Sequence, residues 1–130
     1  MSVCGLWQGT RRLVAVIVGD DATLRPPITV PATPSNAHHL LTYLAAIDIG
    51  TLIVAERSHT LIAQALALKL VVRLVPHDLL HAIRTAVGLN RRPPCHTAML
   101  LARWSLTPTL RLYLREVRAP AIQQKQLALF

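Results

Sequence analysis

This sequence predicts an α/β fold with a mixed five-stranded sheet, and three observations carry that prediction. Short β-branched runs crowd the first third of the chain. From residue 34 onward, apolar residues recur at helical spacing. Between the helices so marked lie two further apolar runs of strand length. Strands that give way to an alternation of helix and strand describe helices laid on a sheet. The chain has 130 residues, enough for one domain with a real core. That core must be aliphatic: 52% of the residues are hydrophobic, but the aromatics are only two Trp, two Tyr and one Phe.

Val3 to Trp7 is the first apolar run, and Gly9-Thr10 supplies a turn. Leu13 to Val18 is apolar at every position, as in a strand buried on both faces. Gly19-Asp20-Asp21 has turn chemistry, and Arg25 to Val30 offers a third strand whose Pro26-Pro27 places it at an edge or delays its start. These three strands read as an antiparallel meander. Pro34-Ser35-Asn36 opens a helix with Leu40, Leu41, Leu44 and Ile47 on one face, which Gly50 is expected to end. Thr51 to Ala55 reads as a central strand, and Ser58 as the cap of a second helix. Val71 to Val75 is a fifth strand closed by Pro76. A third helix runs from about His77 to Val87 and stops at Gly88. Asn90 to Pro94 forms a basic loop before a fourth helix, Cys95 to Leu106. Thr107-Pro108 marks a helix start, so 108–118 reads as helix, although the alternation of Leu110, Leu112 and Leu114 with Arg111, Tyr113 and Arg115 also fits a strand.

The order β-β-β-α-β-α-β-α resembles the ribonuclease H-like fold, most closely the RuvC-like domains of one transposase family, over roughly residues 3–104. The matching pieces are Cys4-Gly5-Leu6-Trp7, Leu13-Val14-Ala15-Val16, Ile28-Thr29-Val30-Pro31 and Ile53-Val54-Ala55-Glu56. The resemblance implies a three-layer domain. In nucleases of this type it also implies two metal ions held by carboxylates from the first strand, the end of the fourth strand and a late helix. Glu56 stands at the fourth-strand position and is the one catalytic candidate. The first-strand position carries Trp7 or its neighbours Leu6 and Gln8, with no Asp or Glu in residues 1–19, and the fourth helix offers only His96. A single carboxylate does not organise two divalent ions, which need hard oxygen ligands. The expectation is a non-catalytic domain without metal or cofactor. A structure-specific metal-dependent nuclease of RuvC-like type is the alternative.

Fourteen Lys and Arg against six Asp and Glu give a net charge of +8, which favours anionic partners. Arg84, Arg91, Arg92 and Arg103 are the candidate nucleic-acid contacts. The scarcity of aromatics argues against single-strand recognition by stacking. His77 and His81 stand one helical turn apart and read as surface histidines. Mean hydropathy is +0.41, yet no uncharged apolar segment approaches the ~18 residues of a spanning helix. Arg11-Arg12 precedes an apolar run too short for a signal peptide, and Cys4 and Cys95 form no metal-type pair. A cytoplasmic protein without a membrane partner is expected.

The end of the chain carries Gln126-Leu127-Ala128-Leu129-Phe130 after the polar Gln123-Gln124-Lys125. This pentapeptide resembles the one by which bacterial replication and repair proteins dock on the DNA sliding clamp. The resemblance implies that residues 1–118 form the ribonuclease H-like domain, while 119–130 form a flexible tail whose apolar anchors enter a groove on the clamp. The chain then reads as a bacterial DNA replication or repair accessory protein. The remaining alternative is an oligomerising domain whose tail packs on its own core or on a sister subunit.

Overall fold

The computed structural model describes residues 2–19, 21 and 23–117. Strands β1 (Ser2–Gln8), β2 (Arg12–Val18) and β3 (Ile28–Pro31) form the meander. Then come α1 (Pro34–Ala46), β4 (Ile49–Ala55), α2 (His59–Ala67), β5 (Val72–Val75), α3 (His77–Val87), a 3₁₀ turn (Leu89–Arg91), α4 (Pro94–Trp104), α5 (Pro108–Arg111) and β6 (Arg115–Val117). The sheet order is β3-β2-β1-β4-β5-β6. β1, β4 and β5 run parallel, whereas β2 and β3 on one side and β6 on the other pair antiparallel.

The two-residue period of the strands divides the core into two layers. Cys4 and Leu6, Leu13, Ala15 and Ile17, and Leu52 and Val54 share one cluster with Ala37, Leu40, Leu41 and Leu44 of α1 and Leu61 and Ala65 of α2. Their strand neighbours point the other way: Ile53, Ala55 and Val75 pack with Leu80 of α3 and Leu101 and Trp104 of α4. Val14, Val16 and Val18 pack with Ala98 and Ala102 of α4. The result is a three-layer α/β/α domain.

Local chemistry sets the helix ends. The Thr33 hydroxyl accepts the Asn36 N–H at 3.2 Å, and Pro34 occupies the first turn of α1. Gly88 ends α3 in the left-handed region at φ 72°. Gly5 is needed for a different reason. A Cβ there would run into the Ala98 carbonyl oxygen and the Ala102 backbone nitrogen, so α4 lies directly on β1 where β1 has no side chain.

Three expectations need correction. Gly50 does not end α1 but lies inside β4; α1 stops at Ala46, and Asp48 turns the chain at φ 60°. The sheet has six strands, since 108–118 is not one helix. The Pro108 start signal yields only the four residues of α5, the alternation at 110–114 falls in α5 and the turn after it, and Arg115–Val117 then covers the outer edge of β5. Glu116 there pairs opposite Arg73, a favourable cross-strand charge match. α4 also begins and ends earlier than expected, at Pro94 and Trp104.

Candidate nucleic-acid interface

The three parallel strands end on the same side of the molecule, and β1 is where the sheet changes direction, with β2 antiparallel on one side and β4 parallel on the other. In open α/β sheets, ligands collect outside the carboxyl ends of the strands at such a point. A cleft of about 500 Å³ opens there. Trp7, Gln8, Gly9 and Thr10 enter it from the end of β1, and Ala55, Arg57 and Ser58 from the end of β4. His59 and Thr60 come from the start of α2. His77, Leu80, His81 and Arg84 come from α3. No Asp or Glu lines the cleft among the described residues.

The charged groups are held in place by simple means. The Arg84 guanidinium carbon lies 4.5 Å from the Trp7 ring centroid, a cation–π contact between α3 and β1. The Arg84 Nε is buried and has no hydrogen-bond partner among the described residues. One turn earlier on α3, His77 and His81 stack with ring centroids 6.2 Å apart and planes 15° from parallel. Neither α2 nor α3 has a side-chain cap bond at its N-terminus, so Ser58 holds the predicted cap position without making the bond. Uncapped first-turn N–H groups of both helices therefore meet at the cleft, where Asp78 in the first turn of α3 offsets that helix's positive end.

This arrangement does not fit a two-metal centre. β1 carries no Asp or Glu, and Trp7 near its end presents an indole ring with a cation over it. Glu56 is exposed and does not line the cleft; Ala55, on the face toward α3 and α4, does. The Glu56 backbone N–H donates to the Val75 carbonyl at 3.1 Å, prolonging the β4–β5 pairing by one residue. His96 is half-buried on α4, and α4 contributes nothing to the cleft. Among the described residues no three His, Cys, Asp or Glu side chains could hold a metal ion together.

Of the four arginines proposed from sequence, only Arg84 reaches the cleft. Arg91 and Arg92 are exposed on the 3₁₀ turn just before α4, and Arg103 is exposed in the last turn of α4. A second groove of about 440 Å³ shares Gly9 and Thr10 with the cleft and is otherwise lined by Arg11, Arg12 and Pro94. Arg11, Arg12, Arg57, His59, His77 and His81 were not singled out from sequence as nucleic-acid contacts. The available signal was that Arg57, His59 and His77 each follow a parallel strand by four residues or fewer. Gln126 to Phe130 lie outside the described residues.

No protein-family model matches the chain, and no curated protein sequence matches it significantly. Solved structures do match in fold. A Thermus thermophilus RuvC structure is 13% identical, with 90% of this chain and 100% of that chain covered, at a TM-score of 0.61. T. thermophilus RuvC in complex with a Holliday junction substrate is 15% identical, with 78% of this chain and 90% of that chain covered, at a TM-score of 0.59. The fold is ribonuclease H-like, of the RuvC type. None of the helices among the described residues is long and apolar enough to cross a membrane.

Proposed function

We propose that this chain is a nucleic-acid-binding accessory domain of RuvC-like fold that does not cleave, and that it reaches its site of action in replication or repair by docking on a bacterial sliding clamp through Gln126-Leu127-Ala128-Leu129-Phe130. The observation that carries the nucleic-acid half is the Trp7–Arg84 pair. At the strand position where a nuclease of this fold needs a carboxylate, this chain has an aromatic ring bearing a cation. A cleft rich in Arg and His attracts the phosphate backbone without a base-reading element, so binding is independent of sequence and weakens steeply with salt. One of the matched RuvC structures holds a Holliday junction substrate, which supports branched DNA as the first ligand to try. The clamp half rests on the pentapeptide. Burying Leu127, Leu129 and Phe130 contributes roughly 1.5–3 kcal/mol each. The entropy lost on ordering the peptide offsets much of that, which leaves a dissociation constant on the order of micromolar.

The RuvC likeness over most of the chain favours a second reading, a structure-specific metal-dependent nuclease using Glu56. One experiment separates the two. Four-way junction, duplex and hybrid substrates are incubated with the protein in Mg²⁺ and Mn²⁺, with and without purified clamp. The accessory reading expects retained but uncut DNA and clamp binding that Leu129→Ala with Phe130→Ala abolishes. Cleavage that disappears in Glu56→Gln would establish the nuclease instead.

A further inference from the structure

We propose that the cleft is a metal-independent phosphate pocket, in which Arg84 and the paired His77 and His81 take over the charge neutralisation that divalent ions provide in nucleases. The inference rests on the reading that this chain binds nucleic acid, and it names the group the cleft takes: a phosphate of that nucleic acid. Trp7 is what makes Arg84 suitable. An aromatic face holds a guanidinium in place but accepts no hydrogen bond in its plane, so the cation is positioned while its N–H donors are not consumed. A carboxylate partner would have neutralised it, and none lines the cleft among the described residues. The Arg84 Nε is buried and has no acceptor among the described residues, so it is the terminal Nη donors of the guanidinium that would meet a phosphate.

The remaining donors point to the same chemistry. His77 opens α3, so its ring and the first-turn N–H groups of that helix reach the cleft together, and the ring of His81 lies parallel to its own. Arg57 and Ser58 line the cleft from the β4–α2 connection. The adjoining groove along Arg11 and Arg12 provides a path for the next phosphates of the same strand. A site assembled from guanidinium, imidazole, hydroxyl and backbone N–H donors needs no metal to bind an oxyanion.

The test uses the full chain and fluorescently labelled duplex in EDTA, followed by anisotropy. Wild-type protein is expected to bind within about twofold as well in EDTA as in Mg²⁺. Arg84→Gln is expected to weaken binding by about tenfold or more. His77→Gln with His81→Gln, on side chains that are half-buried and exposed, is expected to weaken it several-fold with an unchanged melting temperature. Probes with 5′-phosphate and 5′-hydroxyl ends distinguish the sources of the phosphate. Equal affinity assigns the pocket to backbone phosphodiesters, and a preference for the phosphorylated end assigns it to a terminal phosphate. Loss of wild-type binding in EDTA overturns the proposal. So does wild-type affinity in both the Arg84 and the double-histidine variants. In that last case, a loss in Arg91→Ala with Arg92→Ala shows that nucleic acid is held elsewhere, and the accessory function survives the pocket. Absence of any nucleic-acid binding by the wild-type protein, in either buffer, removes both.

Discussion

The two helical layers on this sheet are built by different means. The layer of α1 and α2 is one continuous aliphatic cluster, in which Leu40, Leu41 and Leu44 share a core with side chains from β1, β2, β4 and β5. The layer of α3 and α4 divides into two smaller clusters, and Trp7 packs against both. Its helices are seated differently too. α4 comes close because Gly5, Ala98 and Ala102 withdraw their bulk, while α3 buries only Leu80 and turns Arg84, His77 and His81 to the cleft. The first layer holds the domain together. The second supports an opening in which charged groups are positioned by an aromatic ring and by one another. Stability and binding should therefore respond to different substitutions.

The largest expected effect is at the α4 seat. In Gly5→Val the added carbons meet helix backbone, which cannot rotate away, so the cost should exceed the ~1–3 kcal/mol usual for overpacking and is read as loss of a cooperative melt. A melting temperature close to wild type would show that α4 sits off the sheet and that the close approach is not real. Next comes Leu44→Ala in the α1 layer, where a wholly buried side chain is lost at a cost of roughly 2–5 kcal/mol. Its DNA affinity, measured well below its melting temperature, should equal that of wild type. A matching loss of affinity would mean the two layers are not separable.

The smaller effects lie at the surface. Arg91→Ala with Arg92→Ala should leave the melt unchanged, because both side chains are exposed. Where both touch phosphates, the slope of log affinity against log salt should fall by about 0.9 per contact. An unchanged slope would confine the interface to the cleft and the groove beside it. The two cysteines give the mildest test. Burial pushes the Cys4 thiol up to about 12, because the thiolate would lose its solvation between β1 and the α1 layer. The half-buried Cys95 lies at the start of α4. Alkylation near pH 8 should label Cys95 alone in the native protein and both residues in denaturant. Rapid labelling of Cys4 would show that the α1 layer opens readily.

Much of the fold was legible because its signals are local. The all-apolar run of β2, the 3–4 spacing of α1 and the bounds of α3 up to Gly88 each depend on residues within one element. The segment 108–118 was ambiguous for a nonlocal reason. Its final residues become a strand because the outer edge of β5 is there to pair with, and nothing within the segment records that. The site was harder still. Trp7, Arg57, His77 and Arg84 are scattered over 78 residues of sequence, and they converge only because β1, β4 and β5 are parallel and end together. The missing first-strand carboxylate could be read from the sequence, but the cation that lies over its replacement could not.

The two tryptophans lie in different surroundings, one in the cleft and one in the core, and a single titration reads both. Trp7 is in the cleft under Arg84, while Trp104 is wholly buried and donates its indole N–H to the Leu110 carbonyl at 2.7 Å. Indole N–H resonances of ¹⁵N-labelled protein are followed as duplex or junction DNA is added in EDTA. A progressive shift of the Trp7 resonance with Trp104 unmoved is the predicted result. DNA binding that leaves Trp7 unmoved would contradict the account, because the nucleic acid would then lie away from the cleft.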